Sequence, residues 1–461
     1  MRSNFLIAFC CLWFTQALAQ VDSNSTERTK LLYANLKAVQ DSYYFLFGQE
    51  FFNSFKYSSG SAHGDEEYSD VNTVTGAYPV VLGSDFHYYI EKDPAERSYH
   101  TDAVKWAYQR GFVITYDWHL SARNTSSYTC TGSPASLAKN IANGNTNGDR
   151  DWYLAELDKV IDIINKDLVV NGESIPIVLR PFHEMNGNWF WWGAGCSGFT
   201  PADYRKLYQL TVDYIKERTN NVLFCWSPNS PVTDAIISNY YPGDAYVDIL
   251  GLDIYEISAE PFRQYMGTIV DYAQGHNKVA VLSETGYRND TGNGEAAAKY
   301  WNHTVLPAIV NDPTGRSLKI AWVLTWINSS WSHPYVPHST STAAAKQSFI
   351  NFRNSEHVRF SDEMGSLYDP QVVTAVAEDP IVGNARVKII QEQDRLVVKF
   401  SEFRSPTVTV MCDMAGRKIA EEKVEGSEAI FSIAKLMIKT GVYVLKVTDG
   451  EKTIAQKVYV P

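Results

Sequence analysis

Pro176-Ile177-Val178-Leu179-Arg180-Pro181-Phe182-His183-Glu184 is a short apolar run that breaks off into charged and aromatic residues. The segments on either side of it have helical periodicity. Upstream, over 151–167, Trp152, Leu154, Leu157, Val160, Ile161 and Ile164 recur at the spacing of one helix face. Downstream, over 201–218, Tyr204, Leu207, Tyr208, Leu210, Val212 and Ile215 do the same. Thr200-Pro201 followed by Asp203 starts that second helix with an N-cap and a proline at the first helical position. A continuously apolar strand between two amphipathic helices implies parallel pairing with both sheet faces covered.

The same unit repeats along the chain. Apolar runs at 44–47, 79–86, 112–118, 221–227, 247–255, 279–285 and 320–326 bring the total to eight. Eight strand–helix repeats favour an α/β fold of the (β/α)8 TIM-barrel type, which occupies 200 to over 400 residues. An open doubly wound sheet would want a glycine-rich phosphate turn after its first strand, and Gly48-Gln49-Glu50 is not one. The Asn-, Gly- and Thr-rich stretch from Thr129 to Arg150 reads as a long loop between the third and fourth strands. After Ser361 the pattern changes. Residues 362–384 lack strong periodicity and read as a linker. Residues 385–461 alternate in short runs punctuated by Gly416, Gly441 and Asp449-Gly450, as in a small antiparallel β-sandwich. The expected organisation is a signal over 1–19, a barrel over 20–361, the linker, and the sandwich.

The signal is legible in Met1-Arg2, an apolar run from Phe5 to Phe14, and the small-x-small pattern Ala17-Leu18-Ala19, with cleavage before Gln20. The run is short for a membrane span, and no later stretch reaches about 18 apolar residues. The expected mature protein is exported and soluble. Cys130 and Cys196 lie in loop-like sequence that an oxidising compartment lets pair, whereas Cys225 sits in an apolar run and reads as a buried thiol. Sequons at Asn24, Asn124, Asn289, Asn302 and Asn328 matter only in a host that glycosylates. The 461 residues carry 41 Lys and Arg against 52 Asp and Glu, a net charge of −11. That balance argues against a nucleic-acid partner and against attraction to anionic lipid. Phe, Trp and Tyr make up 13 %, enough for both core packing and stacking platforms for ring-shaped ligands.

Barrel chemistry sits at the C-terminal ends of strands. Those ends carry Asp85 and His87, Asp117 and His119, His183 and Glu184, Trp226, Asp253 and Tyr255, Glu284, and Trp326. Singly, each has a bland reading as a solvated carboxylate, a bonded structural histidine or a lid on the core. Their recurrence at one rim favours a site. Glu184 and Glu284 end the fourth and seventh strands and so face each other across the barrel mouth. Two carboxyl groups roughly 5–5.5 Å apart suit retaining glycoside hydrolysis, one giving a proton and the other attacking the sugar. Their repulsion raises one pKa and divides the labour.

Arg180-Pro181-Phe182-His183-Glu184-Met185-Asn186-Gly187-Asn188-Trp189-Phe190-Trp191-Trp192-Gly193 resembles the acid/base segment of glycoside hydrolase family 26, chiefly β-mannanases. Asp117-Trp118-His119-Leu120, Gly251-Leu252-Asp253-Ile254-Tyr255 and Ser283-Glu284-Thr285-Gly286 agree in order, and the resemblance covers roughly residues 40 to 355. It implies a secreted retaining endo-β-1,4-mannanase with Glu184 as general acid/base and Glu284 as nucleophile. Tyr255 would orient the nucleophile, and His183 would stand beside the reacting sugar. His119 and Trp189 would line the adjoining subsites, Trp326 would be the stacking floor, and Asp85 would accept a sugar hydroxyl. The segment Ile327-Asn328-Ser329-Ser330-Trp331 lacks the arginine that some members carry there. The expected partner is β-mannan polysaccharide or oligosaccharide, bound by a monomer that needs no cofactor or metal. Family members that cleave xylan or mixed-linkage glucan leave those substrates open. The tail, with Gly441-Val442-Tyr443-Val444-Leu445-Lys446-Val447 and Lys457-Val458-Tyr459-Val460, is similar to sorting domains of type IX secretion, implying contact with that machinery and a secreted or cell-surface location. A plain accessory domain and a carbohydrate-binding module are the alternatives for the tail.

Two other classes compete. A metal-dependent hydrolase could draw ligands from Asp85, His87, Asp117, His119 and His183, but there is no HxH on the first strand and no HExxH helix. A non-catalytic sugar binder would have no need of both carboxylates.

Overall fold

The computed structural model describes residues 20–57, 65–134, 136–196, 198–255, 258–290, 292–329 and 333–370, and then, in the tail, 386–392, 395–401, 403, 406–413, 417–433, 435–436, 441–449 and 453–460. The signal over 1–19, most of the 362–384 linker, Gly416 and Trp331 lie outside the described residues.

Eight parallel strands form a closed barrel: β1 (Phe45–Glu50), β2 (Val81–Asp85), β3 (Val113–Asp117), β4 (Ile177–Leu179), β5 (Val222–Trp226), β6 (Ile249–Ile254), β7 (Val279–Thr285) and β8 (Trp322–Thr325). They pair in chain order, and β8 closes on β1 in the register Leu46↔Trp322 to Gln49↔Thr325. Every residue of these strands is buried, which is why they open on apolar runs rather than alternating patterns, with the polar residues gathered toward their C-terminal ends. The helices cover the outside. Pro201–Lys216 begins with a capping box in which the Thr200 hydroxyl accepts from the Asp203 N–H and the Asp203 carboxylate accepts from the Thr200 N–H. Tyr204, Leu207, Tyr208, Thr211, Val212 and Ile215 form its buried face. The helix Asp149–Asp162 ends in a π-helical turn, Ile163–Asp167.

Two sequence expectations shift. The stretch from Thr129 to Arg150 is not a bare loop. It holds a helix, Leu137–Asn143, because Leu137, Ala138, Ile141 and Ala142 bury one face. Nor does the chain leave the barrel at Ser361. Leu367 and Tyr368 are buried, and the Tyr368 hydroxyl donates to the carbonyls of Phe112 (3.0 Å) and Pro176 (3.4 Å), just ahead of β3 and β4. Residues 362–370 thus seal the N-terminal end of the barrel, opposite the site.

The tail forms two antiparallel sheets. Strands β9 (Arg386–Glu392), β10 (Arg395–Ser401) and β13 (Glu428–Ser432) make one. Strands β11 (Thr407–Asp413), β12 (Lys418–Val424), β14 (Gly441–Thr448) and β15 (Thr453–Val460) make the other. Leu396, Val398, Phe400 and Phe431 of the first sheet bury against Met411, Leu445, Val447 and Ile454 of the second, giving the tail a core of its own.

Candidate active site

The backbone at the end of β4 is what presents Glu184. Phe182 and Glu184 both adopt φ of 54°, a left-handed conformation that side chains with a Cβ rarely take. Each such residue costs on the order of 1 kcal/mol and persists only where its surroundings fix it. Here the Glu184 N–H donates to the Ser227 carbonyl at 2.9 Å, tying the turn to the end of β5. Trp189 folds back so that its indole Nε1 donates to Glu184 Oε2 at 2.7 Å. Gly187 makes room for that ring: a Cβ there would lie 2.4 Å from Trp189 Cη2. Burial, first of all, and then the charges of Glu284 and Asp253 push the Glu184 carboxyl up to about 8, against the Trp189 hydrogen bond. It therefore holds its proton at neutral pH.

Glu284, near the end of β7, is clamped from two sides. Arg180 Nη2 donates to Oε1, and the Tyr255 hydroxyl donates to Oε2 at 3.0 Å. Burial and the adjacent Glu284 charge hold the Tyr255 phenol well above its ordinary range, so it stays a donor. Arg180 is fully enclosed and reaches three strands at once. Its Nη1 donates to Asp253 Oδ2 (2.9 Å) and Ser227 Oγ (3.0 Å), and its Nη2 lies 3.5 Å from Asp117 Oδ2. The Ser283 hydroxyl donates to Asp253 Oδ1 at 2.6 Å. Burial pushes Asp253 up to about 7 despite Arg180. Burial, followed by Asp117 and Glu284, also drives Glu50 of β1 well above the carboxylate range. Glu50 fits only because residue 83 is glycine, where a Cβ would stand 1.6 Å from its Oε2. One guanidinium thus serves several buried acids, and burial with the neighbouring Asp85 charge also drives Asp117 well above the carboxylate range.

His119 and His183 meet beside this cluster, ring centroids 4.8 Å apart. Burial lowers His183 well below its ordinary value, with Arg180 adding to the effect, so it is a neutral imidazole. His119 is different. Burial would lower it, but the Asp85 carboxylate outweighs that and raises it. Asp85 Oδ2 lies 2.9 Å from His119 Nδ1, and Asp85 Oδ1 accepts from the backbone N–H of His119 (3.1 Å) and of His87 (2.9 Å). Asp85 was expected to accept a sugar hydroxyl. Both its oxygens accept hydrogen bonds within the protein, and through Oδ2 it orients His119. Trp326 lies edge-on to His119 at 6.0 Å and packs with Phe51, Phe55 and Ile327 on the β8–β1 side. Trp189 is 38 % exposed, as is Tyr128, whose ring is 5.0 Å from His119. The expected residues Glu184, Glu284, His119, His183, Trp189, Tyr255 and Trp326 thus come together at one rim, with Asp85 behind His119.

A disulfide joins Cys130 to Cys196, with Cα atoms 5.7 Å apart. It staples the loop carrying Tyr128 to the loop carrying Trp189. Between them the Cys130 N–H donates to the Trp189 carbonyl (2.7 Å) and the Trp191 N–H to the Tyr128 carbonyl (3.2 Å). Cys225 is buried and free, as its apolar setting suggested.

Asp117, His119 and His183 offer atoms within 4.8 Å of one another, a spacing open to a metal ion. Two of the three are otherwise engaged, Asp117 beside Arg180 and His119 with Asp85. The guanidinium adds a positive charge where a cation would sit, so the set does not fit a metal well. Sequence reasoning did not single out Arg180, although an arginine inside the apolar end of β4 is itself a signal of a buried charge. Tyr128 carried no local signal at all. The arrangement is a carboxylic acid that keeps its proton beside a carboxylate held by a guanidinium and a phenol, within an aromatic-walled cleft.

Residues 21–314 match the family model for glycosyl hydrolase family 26, and residues 392–461 match that for a secretion system C-terminal sorting domain. A mannan endo-1,4-beta-mannosidase of Bifidobacterium adolescentis is 28 % identical over 336 residues, covering 67 % of this chain and 32 % of the relative. One from Bacillus subtilis strain 168 is 24 % identical over 279 residues, covering 58 % and 70 %. The chain spans about a third of the length of the curated relatives it matches first. Among solved structures, a Cellulomonas fimi endo-beta-1,4-mannanase double mutant is 26 % identical with a TM-score of 0.67, covering 96 % of this chain and 99 % of the other. GH26C from Muricauda sp. MAR_2010_75 is 27 % identical with a TM-score of 0.65, covering 76 % and 96 %. With the family model spanning most of the barrel and its strand-end carboxylates, the chain belongs to glycosyl hydrolase family 26.

Proposed function

We propose that this protein is an exported, retaining endo-β-1,4-mannanase that cuts internal bonds of mannan, glucomannan or galactomannan by double displacement. The observation that carries the reading is the unequal pair of carboxyl groups: Glu184 raised to about 8, and Glu284 bonded by Arg180 and Tyr255. In the first step a Glu284 oxygen attacks the anomeric carbon. The bond from that carbon to the glycosidic oxygen breaks, and Glu184 gives its proton to the departing oxygen. With Glu284 esterified, its charge no longer opposes ionisation of Glu184, which then takes a proton from water. The water oxygen bonds the anomeric carbon and the ester breaks, restoring both acids. Two inversions leave the β configuration unchanged.

Tyr255 orients Glu284, and Trp189 orients Glu184 and walls the cleft. His183 and the Asp85-oriented His119 face the reacting sugar. Trp326 is the platform for its apolar face. Residues 1–19 serve as the export signal, residues 20–370 as the catalytic barrel of a monomer, and the tail as the part read by type IX secretion machinery. The sorting-domain match over 392–461 supports the last assignment, and with it a secreted or cell-surface location. The names of the relatives above support mannan over the xylan and mixed-linkage glucan alternatives.

Product analysis on mannan, xylan and mixed-linkage glucan tests this. Early release of mannose oligomers with β-anomeric reducing ends, seen by proton NMR, is expected. Action on xylan or glucan alone would remove mannan from the reading, and α-anomeric initial products would remove the double displacement.

A further inference from the structure

Arg288 lies three residues beyond β7, at the lip of the cleft. Its guanidinium carbon is 3.7 Å from the centroid of the Tyr255 ring, the same ring whose hydroxyl bonds Glu284. The loop that carries it is fixed at both ends. Gly286 lies against Tyr335, where a Cβ would meet Cδ1 at 2.1 Å. Asp290 accepts from the backbone N–H groups of Gly292, Gly294 and Ala297 at 2.8, 3.0 and 2.9 Å. Other arginines stacked on rings also have an acid to pair with: Arg110 with Glu67 (3.4 Å), Arg218 with Glu217 (3.2 Å) and Arg359 with Glu363 (4.0 Å). Arg288 has no such partner among the described residues, and its side chain is exposed.

A guanidinium flat on an aromatic ring keeps its N–H groups in the plane, directed sideways, in a fork that suits two neighbouring oxygens. Here the fork borders the reacting carboxyls, near enough to Glu184 that its charge opposes the rise of that acid. Trp326 with Phe51 and Phe55 walls the β8–β1 side, whereas Tyr255 and Arg288 follow β6 and β7, where the Arg288 charge reaches Glu184.

We propose that Arg288 is a substrate-binding residue on the leaving-group side of the cleft, donating from its in-plane N–H groups to vicinal hydroxyls of the sugar that departs with the oxygen protonated by Glu184. This deepens, and rests on, the hydrolytic reading above. An Arg288→Met variant keeps a long chain over Tyr255 and removes the donors. Two substrates separate the roles: β-1,4-mannohexaose, whose leaving group is a sugar, and an aryl β-mannobioside, whose aryl leaving group has no hydroxyls. The expected result is a tenfold or greater fall in kcat/KM on the hexaose, carried mainly by KM, with the aryl substrate within twofold of wild type. Equal losses on both would mean that Arg288 acts only by supporting Tyr255, and unchanged hexaose kinetics would mean that it does not bind substrate. Either result overturns the proposal while leaving the hydrolytic reading intact. A wild-type enzyme that turns over neither substrate overturns that reading, and the proposal with it.

Discussion

Glu184 concentrates the physical conflict of the site in one residue. Its backbone is in the left-handed region, and its carboxyl is buried beside another acid. A carboxyl raised to about 8 sets the alkaline limb of activity, since above that pH the proton needed by the leaving oxygen is gone. The expected profile of kcat/KM falls off near pH 8. Glu184→Gln should lose turnover by roughly three orders of magnitude or more on unactivated mannan. The same shift predicts a stability effect of definite sign. The folded state binds this proton more tightly than the unfolded chain does, so stability falls as pH rises from the ordinary carboxyl range toward about 8. The amide carries no such dependence. The Tm advantage of Glu184→Gln over wild type should be small at pH 5 and larger at pH 9, and thermal melts at the two values check it; a gap that narrows with pH contradicts the assignment. Trp189→Phe keeps an aromatic wall but removes the donor to Oε2. Losing one hydrogen bond to the protonated acid, about 0.5–1.5 kcal/mol, should lower kcat/KM several-fold, and because that bond favours the ionised form its loss should move the alkaline limb upward.

At the scale of elements, the loops after β3 and β4 act as one wall because the Cys130–Cys196 bond and two backbone hydrogen bonds tie them. The bond closes a separation of 66 residues. Chain-entropy arguments give about 4 kcal/mol for a loop of that size, as an upper figure. Cys130→Ser should therefore lower the denaturation midpoint, and it should also weaken oligosaccharide binding by loosening Tyr128 and Trp189. Urea melts and calorimetric titration of an inactive Glu284 variant would measure the two effects; unchanged affinity would show the wall to be held without the disulfide.

At the scale of the whole molecule, barrel and tail each bury a separate core. A chain ending after residue 384 keeps Leu367 and Tyr368, which seal the N-terminal end of the barrel, and should hydrolyse soluble substrate at the full-length rate while failing to reach the cell surface in an expressing host. Ending the chain at Ser361 removes that seal. The loss of two buried side chains and of the Tyr368 hydrogen bonds should cost several kcal/mol. Comparative melts of the two truncations distinguish a barrel that ends at 370 from one that ends at 361.

The sequence by itself determined the eight strands, because a strand buried on both faces must be mostly apolar, as residues 279–282 and the Ile177–Leu179 run are. It also determined which end of each strand is polar, and hence the expectation that Glu184 and Glu284 act as a pair. It carried no sign that Asp85 grips His119, because a carboxylate that grips a histidine and one that grips a sugar read alike in one dimension. It passed over the helix at Leu137–Asn143, whose two-turn apolar face is diluted by lysine and asparagine. What only the tertiary structure decided is who touches whom across strands: that Arg180 bonds acids from several strands, that Trp189 turns back onto Glu184 over Gly187, and that Arg288 lies flat on the Tyr255 ring. Such contacts join residues tens of positions apart, and their strength depends on burial and distance, which exist only once the chain has closed on itself.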